Sequence, residues 1–188
     1  MNDKKVIVGI DEAGRGPLAG PVVAAAVYMP YDIEGVDDSK KLSKKRREFL
    51  YNKIIDSAKV GVGIASVEEI DKINILQATM LAMQRAYNNL NIKSDSVLVD
   101  GNKAPILTCV DVRTIIGGDA FIKSISAASI IAKVTRDKIM QELGAEFPMY
   151  LWERNSGYGT KNHLEALKKF GITCHHRLTF APINKLLT

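Results

Sequence analysis

Two periods of apolar residues run along the chain. Val6-Ile7-Val8-Gly9-Ile10 is a short β-branched run and predicts a strand. Gly20-Pro21 punctuates the chain before a second apolar strand, Val22 to Tyr28. Ser43 is placed to cap a helix running to about Ser57, with Phe49, Leu50, Ile54 and Ile55 on its apolar side. Val60 to Ala65 reads as a third strand. From Val67 to Leu90 the apolar positions recur at three- and four-residue steps, which predicts a long helix. Ser96 to Asp100 and Leu107 to Ile116 read as further strands. Gly117-Gly118-Asp119 opens a helix from about Ala120 to Leu143, where Ser124, Ser126, Ala127, Ala128 and Ser129 form a small-residue face suited to close packing on a sheet. Pro148 begins an irregular stretch, and Asn162 to Phe170 is a last helix with Gly171 at its C-terminal cap. Strands come first and then alternate with helices, so the fold class is α/β with a mixed sheet flanked by helices.

Composition narrows the picture without deciding it. A chain of 188 residues with 46% hydrophobic and 25% charged residues buries a core of its own, so whole-chain disorder is excluded. Its apolar runs fall short of the length that spans a bilayer, and no membrane partner is expected. An acid at position 11 interrupts the first apolar run, so a secretory leader is not expected either. Two cysteines, Cys109 and Cys174, make no disulfide framework and fit a reducing, cytoplasmic location. A monomer is expected. Lys and Arg number 26 against 21 Asp and Glu, a net charge of +5 that points weakly to a polyanion.

Placement of the charges says more than their sum. Asp11-Glu12 and Asp100 each end an apolar strand, and Asp119 stands at a helix start. In open α/β sheets such positions gather into sites. Adjacent strand residues point to opposite faces, so Asp11 and Glu12 share one site only if the strand ends there and the chain turns, as Gly14 and Gly16 would permit. If the strands are neighbours, their terminal acids converge. Converging carboxylates require a proton or a cation, and oxygen ligands without supporting His or Cys favour Mg2+ or Mn2+. Two such divalent ions, about 4 Å apart, suit phosphodiester hydrolysis. The bland readings are a turn residue for Asp100 and a helix cap for Asp119.

The segment Gly14-Arg15-Gly16-Pro17-Leu18-Ala19-Gly20 is not a dinucleotide loop, because prolines interrupt it and a strand follows it. It offers backbone that a ligand can approach closely, with Arg15 as a planar donor to phosphate. Six basic residues occupy positions 40 to 47, partly at a helix start where cations are locally unfavourable, which suits a polyanion partner. Tyr158 sits between two glycines, exposed to stack on a base or sugar, and Lys161 and His163 stand ready to extend a phosphate surface. Cys174-His175-His176 lacks a second ligand pair and is not read as a zinc site.

These residues together resemble the bacterial type 2 ribonucleases H (ribonuclease HII). The resemblance is carried by Gly9 to Val23, Asp38-Ser39-Lys40-Lys41-Leu42-Ser43, Val99-Asp100-Gly101, Ala127 to Asp137 and Ser156-Gly157-Tyr158-Gly159-Thr160, in order and nearly end to end. It implies the ribonuclease H-like fold in one catalytic domain over 1–188, with 145–188 as a C-terminal substrate-contacting part. It implies cleavage of the RNA strand of RNA–DNA hybrids, including incision 5′ to a single ribonucleotide in duplex DNA. It implies Asp11, Glu12, Asp100 and Asp119 as catalytic metal ligands, and substrate contacts from Gly14, Arg15, Gly16, Ser39, Lys40, Lys41, Tyr158 and Lys161. Acids outnumber candidate proton shuttles here, so attack by water leaving 3′-hydroxyl and 5′-phosphate is preferred over attack by the 2′-OH. The rival readings are a non-catalytic hybrid-binding module and another metal nuclease of the same fold. Thr179-Phe180-Ala181-Pro182 stands where many members carry Ser-Phe-Ala-Pro.

Overall fold

The β-branched and alanine runs build a five-stranded sheet in a computed structural model that describes residues 5–36, 42–108 and 111–186. Strands β1 (Ile7–Ala13), β2 (Val22–Tyr28), β3 (Lys59–Ala65), β4 (Ser96–Asp100) and β5 (Val112–Ile115) lie in the order β3-β2-β1-β4-β5. The first three pair antiparallel, whereas β1–β4 and β4–β5 pair parallel. The edge strand β5 is shorter than the run Leu107 to Ile116 suggested, with residues 107 and 108 outside it and 109–110 not among the described residues.

Alternation along the strands sorts residues to two faces. Val8, Ile10, Ala24, Ala26, Val97 and Val99 pack against α2 (Val67–Leu90). Ala25 and Val27 face α1 (Lys44–Ser57) and α3 (Lys123–Glu146). Ser43 caps α1 as its type predicts, its hydroxyl accepting from the Arg46 amide. Only half of the expected apolar side of α1 is used: Leu50 and Ile54 are buried, while Phe49 and Ile55 stay exposed. The small-residue face of α3 does what its composition predicts. It approaches β1 so closely that a Cβ on Gly9 would lie 2.2 Å from the Ser124 carbonyl carbon.

Two departures from the predicted helices have local causes. Asn74 breaks α2 with φ of 66°, and its side chain accepts from the Leu76 and Gln77 amides, recapping the helix that follows. Asparagine tolerates that left-handed backbone better than most residues, which periodicity alone does not register. The helix expected from Ala120 instead starts at Lys123, after a single tight turn at Gly118–Ala120.

A third apolar cluster joins Leu18, Ala19 and Met140 to the C-terminal elements α4 (Trp152–Asn155) and α5 (Lys161–Phe170). Thr160 caps α5 at its start and Gly171 at its end. No helix among the described residues is long and apolar enough to cross a membrane.

Gly9→Ala tests the β1–α3 approach. It is expected to cost about 3 kcal/mol, the upper end for overpacking, seen as a lower urea midpoint at unchanged m-value.

Candidate active site

Register, rather than a turn, brings the acids together. Strands β1 and β4 run parallel with Gly9 beside Leu98 and Ile10 beside Val99. The next step along both strands places Asp11 beside Asp100, on the face covered by α3. The tight turn before α3 completes the group. Carboxylate oxygens of Asp11, Asp100 and Asp119 lie within 4.8 Å of one another. Two bonds fix the turn there: the Gly118 amide donates to Asp100 Oδ1 at 2.8 Å, and Ser126 Oγ donates to the Asp119 carbonyl at 2.7 Å.

Strand β1 does not end at Asp11, contrary to the condition set from the sequence. It stays paired with β2 as far as Ala13. Glu12 still lines the same cavity because β1 outruns β4, whose last residue is Asp100, and so leaves its margin open. Arg15 Nη1 donates to Glu12 Oε1 at 3.2 Å.

The electrostatics of the site favour positive charge beside the acids. Burial pushes the Asp11 carboxyl well above the usual range, and the Glu12 and Asp100 charges push it further. A hydrogen bond from Ser129 and the Glu12 amide, at 2.7 Å, offset only part of this. Burial also raises Glu12, with Arg15 opposing the shift. Raised carboxylates cost stability when ionised and are relieved by a cation. An oxygen-only donor set of this spacing fits a hard divalent ion such as Mg2+ or Mn2+.

A cavity of about 360 Å3 opens over the acids, lined by Asp11, Glu12, Gly14, Arg15, Gly16, Asp100 and Tyr158. Arg47 from the basic run, together with Ser129, Lys133 and Arg136 of α3, completes its wall. Tyr158 is half-exposed, and its ring edge lies 3.4 Å from where a Cβ on Gly16 would stand. Ser39, Lys40 and Lys41 lie outside the described residues. Lys161 lies elsewhere: it borders a separate depression with Arg154 and Asn162 and pairs with Glu165 at 3.9 Å.

His163 does not join a phosphate surface. It is fully buried in the C-terminal cluster, where its partners settle its tautomer. The Thr173 amide donates to His176 Nδ1 at 3.0 Å, so His176 Nε2 carries the proton and donates to His163 Nε2 at 3.1 Å. Trp152 Nε1 donates to the same His163 nitrogen at 3.1 Å. His163 Nδ1 is therefore the protonated one, and donates to the Tyr158 carbonyl at 2.9 Å. Both imidazoles must be neutral for this chain of bonds to hold. Burial, with His163 beside it, lowers His176 to about 4, and burial lowers His163 as well.

The sequence reading missed two arginines. Arg136 and Arg177 are almost wholly buried, and both hold the 14–21 loop by its carbonyls. Burial lowers them to about 10 and about 9, so both remain charged at neutral pH.

A mixed sheet with acids at the ends of adjacent parallel strands, closed by a helix-start acid, defines a nuclease of the ribonuclease H-like fold. Comparison with known proteins makes the assignment specific. The sequence matches the family model described as Ribonuclease HII over residues 8–183. It is 56% identical over 184 residues to the ribonuclease HII of Wolbachia pipientis subsp. Culex pipiens, covering 96% of this chain and 93% of that one. The ribonuclease HII of Paramagnetospirillum magneticum is 55% identical, over 95% and 91% of the two chains. The crystal structure of ribonuclease H2 from Pyrococcus horikoshii superposes with a TM-score of 0.79 at 30% identity, covering 96% of each chain. The chain belongs to the ribonuclease HII family, and it is a ribonuclease H enzyme.

Two outcomes are expected in metal-free buffer, one at the site and one in the C-terminal cluster. Asp11→Asn removes a buried charge and should raise Tm by about 3 °C, the shift about 1 kcal/mol gives in a chain of this size. His176, lowered in the folded state, contributes stability that is complete above its ordinary pKa of about 6.5 and is lost as pH falls toward 4. Ring-proton NMR should show His176 neutral down to about pH 5, and a midpoint near 6.5 would contradict the bonding described.

Proposed function

We propose that the chain hydrolyses the RNA strand of RNA–DNA hybrids, and incises duplex DNA 5′ to a single embedded ribonucleotide, leaving 3′-hydroxyl and 5′-phosphate ends. The observation that carries this reading is the convergence of the Asp11, Asp100 and Asp119 carboxylates, with Asp11 and Asp100 lining one cavity together with Gly14, Gly16 and Tyr158. Asp11, Glu12, Asp100 and Asp119 would hold the divalent ions, two in the substrate complex. A bound Mg2+ or Mn2+ supplies the positive charge that offsets the carboxylates and attracts the scissile phosphate.

The chain's own groups do the rest. The amides of the Gly14–Gly16 loop read the ribose 2′-hydroxyl, the atom that distinguishes RNA from DNA. Arg15, Arg47 and Lys133 line the cavity with positive charge for the phosphates on either side. Tyr158 stacks against the sugar or base at the RNA–DNA junction, and residues 145–188 supply that contact surface. Ser39, Lys40, Lys41 and Lys161 extend the contact along the backbone. Water is the nucleophile: His163 and His176 are buried as neutral partners of each other and Lys133 is paired with Asp137, which leaves the carboxylates of Asp11, Glu12 and Asp100 as the bases at the cavity.

The deciding measurement is incision of a DNA duplex carrying one ribonucleotide, with Mn2+ or Mg2+ and with EDTA. Cutting 5′ to the ribonucleotide is expected only with the ion, and the same duplex without ribose should stay intact. Asp11→Asn and Asp100→Asn should each lower the rate about 100-fold or more. Equal cutting of the all-DNA duplex would point to a different nuclease of this fold, and ion-independent binding without cutting to a non-catalytic module.

A further inference from the structure

In the loop from Gly14 to Pro21 one side chain gathers four of the eight carbonyls. Arg177 is fully buried. Its Nη2 donates to the carbonyls of Gly14 at 2.6 Å, Gly20 at 2.8 Å and Pro21 at 3.2 Å. Its Nη1 donates to the Arg15 carbonyl and its Nε to that of Gly20, both at 3.0 Å. Arg136 takes the Ala19 and Pro21 carbonyls from the other side, and a Cβ on Gly14 would strike its Nε at 2.1 Å. Arg177 is also held at its backbone. Its amide donates to the Leu18 carbonyl at 2.8 Å, and the Phe180 ring covers its guanidinium at 5.0 Å.

A trans peptide points its N–H opposite to its C=O. Once Arg177 draws the Gly14 and Arg15 carbonyls inward, the amides that share those peptides, on Arg15 and Gly16, must point outward. Both residues line the cavity over the acids. We infer that Arg177 is the positioning residue for sugar recognition, fixing the Arg15 and Gly16 amides as a preset pair of donors for the ribose hydroxyl. This rests on the ribonuclease reading above. The planar fork of a guanidinium reaches four carbonyls at once, which the three donors of an ammonium on a flexible stem cannot reproduce.

The hold on Arg177 continues outward to α2. Asp71 accepts from the Leu178 amide at 2.9 Å, the Thr179 amide at 3.0 Å and the Thr179 hydroxyl at 2.7 Å. It therefore pins the two residues after Arg177 from outside the cavity. Its removal should loosen the loop without touching it.

The test separates recognition from folding. The full chain is assayed with Mn2+ on a duplex carrying one ribonucleotide, giving kcat and KM, with the all-DNA duplex as competitor, giving Ki. A loss of folded molecules lowers apparent kcat and leaves both KM and Ki alone. Arg177→Lys is expected to raise KM about tenfold at unchanged Ki, and Asp71→Ala about threefold in the same direction. If Arg177→Lys does not fold, Asp71→Ala alone decides. A ratio of KM to Ki equal to that of the wild type in the folded variants overturns the assignment of Arg177. Absence of incision by the wild type overturns the ribonuclease reading, and the inference with it.

Discussion

Three carboxylates held within 4.8 Å of one another in a mostly buried niche are the constraint on which this structure turns. Their mutual repulsion and desolvation work against the folded state. They are tolerated because the surrounding backbone is overdetermined. Parallel pairing fixes Asp11 beside Asp100, the Gly118 amide ties Asp100 to the turn that carries Asp119, and α3 closes over both. The rigidity of the sheet is thus used to hold charges where water would otherwise separate them. A divalent ion is the natural relief for carboxylates held this close.

Much of this arrangement is legible in the amino-acid sequence. Asp11 and Asp100 announce themselves because each follows a short apolar strand run, and that local pattern survives into the sheet. The small-residue face of α3 likewise predicted close packing, and Gly9 shows how close. Glu12 shows where local reasoning fell short. It reaches the site because β1 continues beyond the end of β4, a relation between two strands that neither sequence segment contains.

The parts that were not legible share one cause. Arg177 bonds to residues up to 163 positions away, Arg136 to residues up to 117 away, and His163 to His176 across two different elements. Nothing near these residues in sequence distinguishes a buried clamp from a surface cation, or a neutral buried imidazole from a phosphate ligand. Asn74 is a smaller case. Apolar periodicity continues across it, and only its capping geometry shows that the helix is two.

The clamp on the Gly14–Pro21 loop joins segments far apart in sequence, Arg177 lying 162 positions after Arg15. During synthesis Asp11, Glu12 and the glycine loop are made before the other acids, and the arginine that shapes the loop follows all five strands. Nascent chains can pair β1, β2 and β3 while the loop is still unbuttressed. Long-range contacts of this separation form late, because their loop-closure entropy is repaid only when the intervening elements have packed. The clamp therefore closes late in folding, and on the reading proposed above a chain lacking Arg177 carries the acids without the means to choose what they cut.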